Sequence, residues 1–335
     1  MLLPASRGPV SAAVIDAARG GDATVPPHDG DDLHGADTQL ALWVVYELSY
    51  RGFDDAADDA EWDLRLVAWR RGVETAIEAG LRRRTADDVA VAREASDDLV
   101  GQLRALVAHV DGPPLARFLQ RSATRDQVLE FLTERSVYHL KESDPHAFVL
   151  PRVDGPAKVA LAELLYDEYG GGRPERLHSL LYADALRSCG IDATYGAHVA
   201  NASGPTLLSN NVMSLLGLQR RLHGASLGHL AAFETTSTDP CRRIAAGIER
   251  VGLPEAAAAY FHEHVEADAV HEQVVLTDIC ANAVDADPSL RDDVLFGAAV
   301  CLRVDADAGA ALMDRWTSEA AVAAHDSADD LVRSA

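Results

Sequence analysis

Phe261-His-Glu-His264-Val-Glu-Ala-Asp268-Ala-Val-His271-Glu272 is the stretch from which the fold can be read. His264, Asp268 and His271 stand at i, i+4 and i+7. At about 100° per residue their directions are roughly 0°, 40° and −20°, a spread of about 60° on one helix face. His262 lies about 200° from His264 on the same wheel and points away. Two imidazoles and a carboxylate on one face suit a borderline divalent metal such as non-haem iron, manganese or zinc. One helix cannot complete such a site. The remaining donors must come from facing helices, so a helical bundle is the expected architecture.

The surrounding sequence carries the same period. From about Asp37 apolar residues recur at three and four, as in Leu40, Trp43, Val44 and Leu48, then Leu64, Leu66, Val67 and Trp69. Further amphipathic stretches cover about 92–110, 113–122 and 125–141, with Thr124 and Asp126 as start signals and Gly112-Pro113-Pro114 as a stop. Beyond the polar segment at Glu142–His146, helices are predicted at about 156–169, 174–189, 205–222, 225–236, 238–251, 254–282 and 289–320. No run of period two is convincing, and the predicted fold is all-α. The expected organisation is a disordered tail over 1–35, rich in Gly, Pro and Asp, an N-terminal helical subdomain over 36–141, and a metal-binding helical domain over 142–325.

The chain has 335 residues, 30 Lys+Arg and 53 Asp+Glu, for a formal net charge of −23. Such acidity repels phosphate backbones and anionic lipid, so neither nucleic acid nor a membrane surface is the expected partner. A small-molecule substrate is. At 48% hydrophobic the chain can bury a sizeable core. The four cysteines, Cys189, Cys241, Cys280 and Cys301, are widely spaced and form no CxxC pair. Neither a thiolate zinc site nor a disulfide framework is indicated, and with no signal-peptide pattern the expected location is the cytoplasm.

Candidate donors upstream are carboxylates and imidazoles in apolar settings. Glu234 has Leu227, Leu230 and Ala231 at −7, −4 and −3, on its own side of a helix. Burying that carboxylate unpaired is costly, which calls for a cation nearby. Glu168 has Leu161, Leu164 and Leu165 at the same offsets, and His178 follows after Gly170-Gly171-Gly172, where the chain can reset its helical phase. Glu175, three before His178, competes with Glu168, because Glu-x-x-His is itself a di-iron spacing.

The stretches Tyr138-His-Leu-Lys-Glu-Ser-Asp-Pro-His146, Tyr166-Asp-Glu-Tyr-Gly-Gly-Gly172 and Phe261–His271 resemble the haem-oxygenase-like di-iron oxidases and oxygenases, in particular the actinobacterial iron-containing redox enzyme group. The spacing is similar to that of the family's N-oxygenases, whose pattern is Glu, Glu-x9-His, Glu, His-x3-Asp-x2-His. Here it falls on Glu142, Glu168, His178, Glu234, His264, Asp268 and His271, and the likeness covers about 130–320. The resemblance implies a seven-helix haem-oxygenase-like bundle that binds two irons per chain, as Fe(II)/Fe(III), and no haem. It implies O2 as co-substrate, an external electron donor, and oxidation of a small organic substrate, with amine N-oxygenation foremost and fatty-acid-type desaturation or decarboxylation as the alternative. Glu142 precedes Asp144-Pro145, where a helix end or loop is expected, so its role as a ligand, like that of Glu175, stays open at this point. With four carboxylates against two Fe(II) ions and three neutral histidines, the reduced site would be neutral.

A catalytically silent metal- or partner-binding helical protein is the reading from a different class, and bundles of this kind often form homodimers. Tyr166, Asp167 and Tyr169, beside Glu168, are candidates to orient the ligands through outer hydrogen bonds, although residues of these types are more often surface or packing. His223 and His229 are six apart and diverge by about 120° on a helix, which reads as packing or surface. Gly170–Gly172 lacks the strand and the Lys-Ser/Thr of a phosphate loop. Gly224-Ala-Ser226-Leu-Gly228 spells a nucleophile elbow, but its flanks are helical. The acidic runs Asp29–Asp32 and Asp54–Glu61 read as solvated surface.

Overall fold

A computed structural model describes residues 1–27 and 32–333, without the side chains of 266–270 and 319–333. Among the described residues there is no strand, and the chain has the haem-oxygenase-like all-α architecture. The helices are α1 Pro9–Ala18, α2 Ala36–Glu47, α3 Leu64–Arg84, α4 Ala86–Ala95, α5 Leu99–His109, α6 Leu115–Arg121, α7 Arg125–His139, α8 Asp144–Ala147, α9 Gly155–Glu168, α10 His178–Ser188, α11 Gly204–Leu218, α12 His223–Arg250, α13 Glu255–Gln273, α14 Asn282–Ala286 and α15 Arg291–Arg333. No helix among the described residues is long and apolar enough to cross a membrane. All four cysteines are free thiols.

Local signals set the ends of the helices that matter for the site. Thr124 caps α7: its hydroxyl accepts from the Gln127 amide at 3.2 Å, while the Gln127 side chain accepts from the Thr124 amide at 2.9 Å. Pro156 occupies the first turn of α9, where a missing N–H costs nothing. α12 runs through Pro240 as one helix, so the two helices expected at 225–236 and 238–251 are continuous. Proline leaves the carbonyl one turn earlier without its donor but does not end the helix here. The helix expected over 254–282 holds as α13 and then widens into a π-helical segment at Val274–Ala281.

The expected disordered tail is corrected in part. α1 buries Val14, Ile15, Ala17 and Ala18 within the core that includes α2. A ten-residue helix is marginal in isolation. This one is held by packing and by Asp37, whose carboxylate accepts from the amides of Val10 and Ser11 at 2.9 Å each. A helix stabilised by a cap 27 residues away leaves little local signal. Asp29–Asp31 of the expected acidic run lie outside the described residues.

Among the described residues three apolar clusters form the core, and each joins residues from both sides of the expected boundary at 141. One unites α1–α3 with α11 and Phe296, Val300 and Val304 of α15. Another unites α5, α9, the first half of α12, the π segment and the start of α15. The last unites α6, α7, α10, the second half of α12, α13 and Leu312 and Trp316 of α15. A domain has its own core, and here residues 36–141 share theirs with the later helices.

α12 and α15 form the axis. They meet through Gly228, where an added Cβ would collide with the carbonyl of Val294, and Gly297, where it would collide with that of Ala225. Gly228→Ala should therefore force the helices apart and cost about 1–3 kcal/mol, the usual penalty of overpacking. Chemical denaturation measures it. A loss below about 0.5 kcal/mol would show that the axis yields freely.

Candidate metal centre

α9 presents Glu168 at its last turn, and the chain must then reverse to bring His178 back onto it. Gly170, Gly171 and Gly172 make that turn with φ of 87°, 60° and 80°, a region that side chains resist. At Gly170 a Cβ would also strike the Arg173 carbonyl and the Leu177 amide. The result places His178 at the first position of α10 with Nδ1 3.1 Å from Glu168 Oε2.

Glu142 lies beyond the end of α7 on a short connection to α8 that includes Ser143 at φ 68°. Two bonds secure this connection. Lys141, fully buried, points the opposite way and sits 3.5 Å from Glu47 of α2, with its ammonium 3.9 Å from the centre of the Tyr50 ring. Ser143 donates to Glu168 Oε2 at 2.9 Å.

The expected residues converge. Glu142, Glu168, His178 and His264 are buried and each offers a donor atom within 4.8 Å of the others, and Glu168, Glu234 and His271 form a second such group. Glu168 belongs to both. Asp268 is on α13 between His264 and His271, but its side chain lies outside the described residues. Glu175, on the turn before His178, is exposed and takes no part, whereas Glu142 does. His262 pairs with Glu249 at 3.0 Å on the outer face, as its direction on the helix requires.

The imidazoles are oriented by their second nitrogens. His264 Nδ1 is 2.8 Å from the carbonyl of Tyr260, which can only accept, so Nδ1 carries the proton and Nε2 faces Glu142 at 3.4 Å. His271 Nε2 is 2.9 Å from Asp167, and its Nδ1 is 3.2 Å from Glu234 and 3.5 Å from Glu168. Asp167, one of the three candidates for such a supporting contact, is half exposed yet touches a buried candidate ligand. Tyr166 and Tyr169 are exposed, as expected. Tyr260 went unnoticed in the sequence: its hydroxyl donates to Glu142 Oε1 at 2.5 Å and lies 2.7 Å from His139 Nδ1. The one available signal was its place four residues before His264, on the same helix face.

The electrostatics are those of a site built for cations. Burial opposes ionisation of Glu142, yet His264 and His139 outweigh it and hold the carboxyl well below its usual range. Burial likewise opposes a charged His271, but Glu234, Glu168 and Asp167 push it up to about 9. Where no carboxylate adjoins, burial prevails, here with the nearby His146 acting in the same direction. His229, packed on Phe233, is brought down to about 3 and stays neutral, in keeping with its reading as a packing residue. Glu142 Oε2 is buried with no hydrogen-bond partner, a costly state unless an ion satisfies it. Carboxylate oxygens and imidazole nitrogens are donors that iron accepts, so the residues fit a metal.

A cavity of about 260 Å³ opens beside the cluster, lined at one end by His139, Tyr260 and His264.

The model of the iron-containing redox enzyme family matches residues 129–306, just over half of the chain. Among curated proteins, a nitrosourea synthase of Streptomyces achromogenes subsp. streptozoticus is 26% identical over 174 residues, 52% of this chain. That match spans 37% of the relative's own length.

Outer groups that fix ligand tautomers are worth about 10–100-fold in metal affinity. Asp167→Asn and Tyr260→Phe should each weaken iron binding by about that factor with the helical circular dichroism unchanged, as competition with a chelator would measure. Unaltered affinity in both would reduce these residues to packing.

Proposed function

This chain belongs to the family of iron-containing redox enzymes, and on that premise we propose that it is a non-haem di-iron oxygenase or oxidase acting on a small organic substrate. The observation that carries the reading is Glu168 shared between two donor groups, one with Glu142, His178 and His264 and the other with Glu234 and His271. A shared carboxylate between two buried donor groups is the arrangement a pair of ions requires, and Asp268 would add a donor to one of them. Iron held there would supply O2 activation, with an external donor providing the balance of electrons.

The chain's own residues supply the rest. Tyr260 holds Glu142 and His264 together by its hydroxyl and its carbonyl, and Asp167 holds His271, so the donors meet an ion in place. The cavity admits a small molecule to the His264 side, where the donors and their supports are themselves buried. Amine N-oxygenation is the finer reading we favour. It is supported by the relative's name, since a nitrosourea carries an oxidised nitrogen; fatty-acid-type oxidation has no comparable support.

Anaerobic loading with Fe(II) should give about two irons per chain, and admission of O2 should then consume oxygen with a transient optical change. Glu168→Ala, at the shared position, should cost both irons, whereas Glu234→Ala should cost one. A folded chain that takes up no iron, or one whose Glu168→Ala form still holds two, would overturn the reading and leave a helical binding protein.

A further inference from the structure

Glu142 is carried by the short segment Lys141–Asp144 where α7 gives way to α8, and Ser143 within it has a φ of 68°. A residue with a Cβ resists that region and stays there only where its surroundings hold it. Ser143 donates to Glu168 at 2.9 Å, which fixes the segment on the side of the donors. The grip on the other side comes from the end of α2 and the turn after it.

Glu47, the last residue of α2, is wholly buried, and so is the Lys141 side chain, whose ammonium lies 3.5 Å from Glu47 Oε2. That oxygen also accepts from the Tyr195 hydroxyl at 2.7 Å, and Oε1 accepts from the Arg51 amide at 3.3 Å. The ammonium itself makes no hydrogen bond among the described residues. Its charge is met by Glu47 and by the face of the Tyr50 ring. Arg51 forms a second arm. Its guanidinium stacks on the Tyr195 ring at 4.1 Å and stands 3.9 Å from Asp144, which in turn accepts from the Tyr169 hydroxyl at 3.0 Å. Tyr169 directly follows Glu168. Both ends of the Glu142 segment are thus tied to the α2 end, and one of them is tied onward to the neighbour of Glu168.

This support does not fall equally on the two donor groups. Glu142 depends on the segment itself. Glu234 and His271 stand on α12 and α13, whereas α2 packs chiefly on α1, α3 and α11. Neutralising Glu47 would leave Lys141 as an uncompensated buried cation, a costly state away from water. The cheaper state moves Lys141–Asp144 toward solvent, and Glu142 moves with it.

We infer that Glu47 and Arg51, both outside the family region at 129–306, are positioning residues for one of the two ions, the one served by Glu142, His178 and His264. The inference rests on the proposed di-iron reading. It adds that the two ions are supported unequally: the helices before the family region govern the first, while the second answers to donors on α9, α12 and α13.

The test uses the full-length chain, loaded anaerobically with isotopically enriched Fe(II) and read by metal content, chelator competition and Mössbauer spectra. Glu47→Gln should hold about one iron per chain as before and bind the other at least tenfold more weakly, the range that outer partners of metal ligands command. One iron signal should fade while the other keeps its parameters. Glu74→Gln is the control. That carboxylate is also buried, but it is bonded to Tyr46 and Gln219, away from the segment, so its loss should lower stability and leave both irons bound. In the metal-free chain, amide exchange over 141–146 should quicken in Glu47→Gln and not in Glu74→Gln. Unaltered affinity for both irons in Glu47→Gln, or equal loss of both irons in the two variants, would overturn the inference. If Glu47→Gln does not fold, Arg51→Gln at the half-exposed arm decides the matter: a severalfold weaker hold on one iron supports the inference, and unchanged binding of both overturns it. Two irons in the unsubstituted chain without this selectivity would remove only the inference. A folded unsubstituted chain without iron would remove the di-iron reading, and the exchange measurement would still decide whether the α2 end holds the segment.

Discussion

Three buried carboxylates, Glu168 within reach of Glu142 on one side and of Glu234 on the other, are the constraint around which the rest of the chain is arranged. Left alone they would repel and lose their hydration, and either protonation or an unfolded segment would be the cheaper state. Imidazoles from α10 and α13 answer part of that charge, and they hold Glu142 and Glu168 below the usual carboxylate range. The unpartnered oxygen of Glu142 shows that the protein's own groups leave the balance incomplete. A divalent cation held there would complete it, which gives physical content to membership in an iron-containing family.

Holding such a cluster requires rigid supports, and they come from the whole chain. The connection bearing Glu142 is tied to α2 through Lys141 and Glu47 on one side and to α9 through Ser143 on the other. The early helices, which lie outside the matched family region at 129–306, therefore reach the site by one buried ion pair. Removing either partner of such a pair typically costs about 3–5 kcal/mol, so the link is stiff. The π-helical segment begins three residues after His271 and packs beside α9, the helix of Glu168. Wide turns of this kind recur at functional sites, where they re-aim side chains.

The distribution of polarity then sets what the centre can act on. The floor of the cavity belongs to the donors and their supports, its walls are chiefly apolar, and Arg135 and Asp305 add a balanced pair of charges.

Much of this was legible in the residues themselves. The 3.6-residue period predicts an all-α chain, and the spacing of His264, Asp268 and His271 places them on one face because helical geometry is local. The apolar offsets before Glu168 and Glu234 likewise mark inward-facing carboxylates. Contacts between distant segments were not legible. α1 depends on Asp37, the core clusters ignore the expected boundary at 141, and Asp167 resembles any exposed acid until His271 is found beside it. Periodicity reports which way a side chain points along its own helix, whereas its partner across the bundle is decided by packing of segments 30 to 200 residues apart. The donor types were therefore set by the sequence alone, and the place of Glu168 in both donor groups and the contacts of Tyr260 with Glu142 and His264 were decided only when the helices closed on one another.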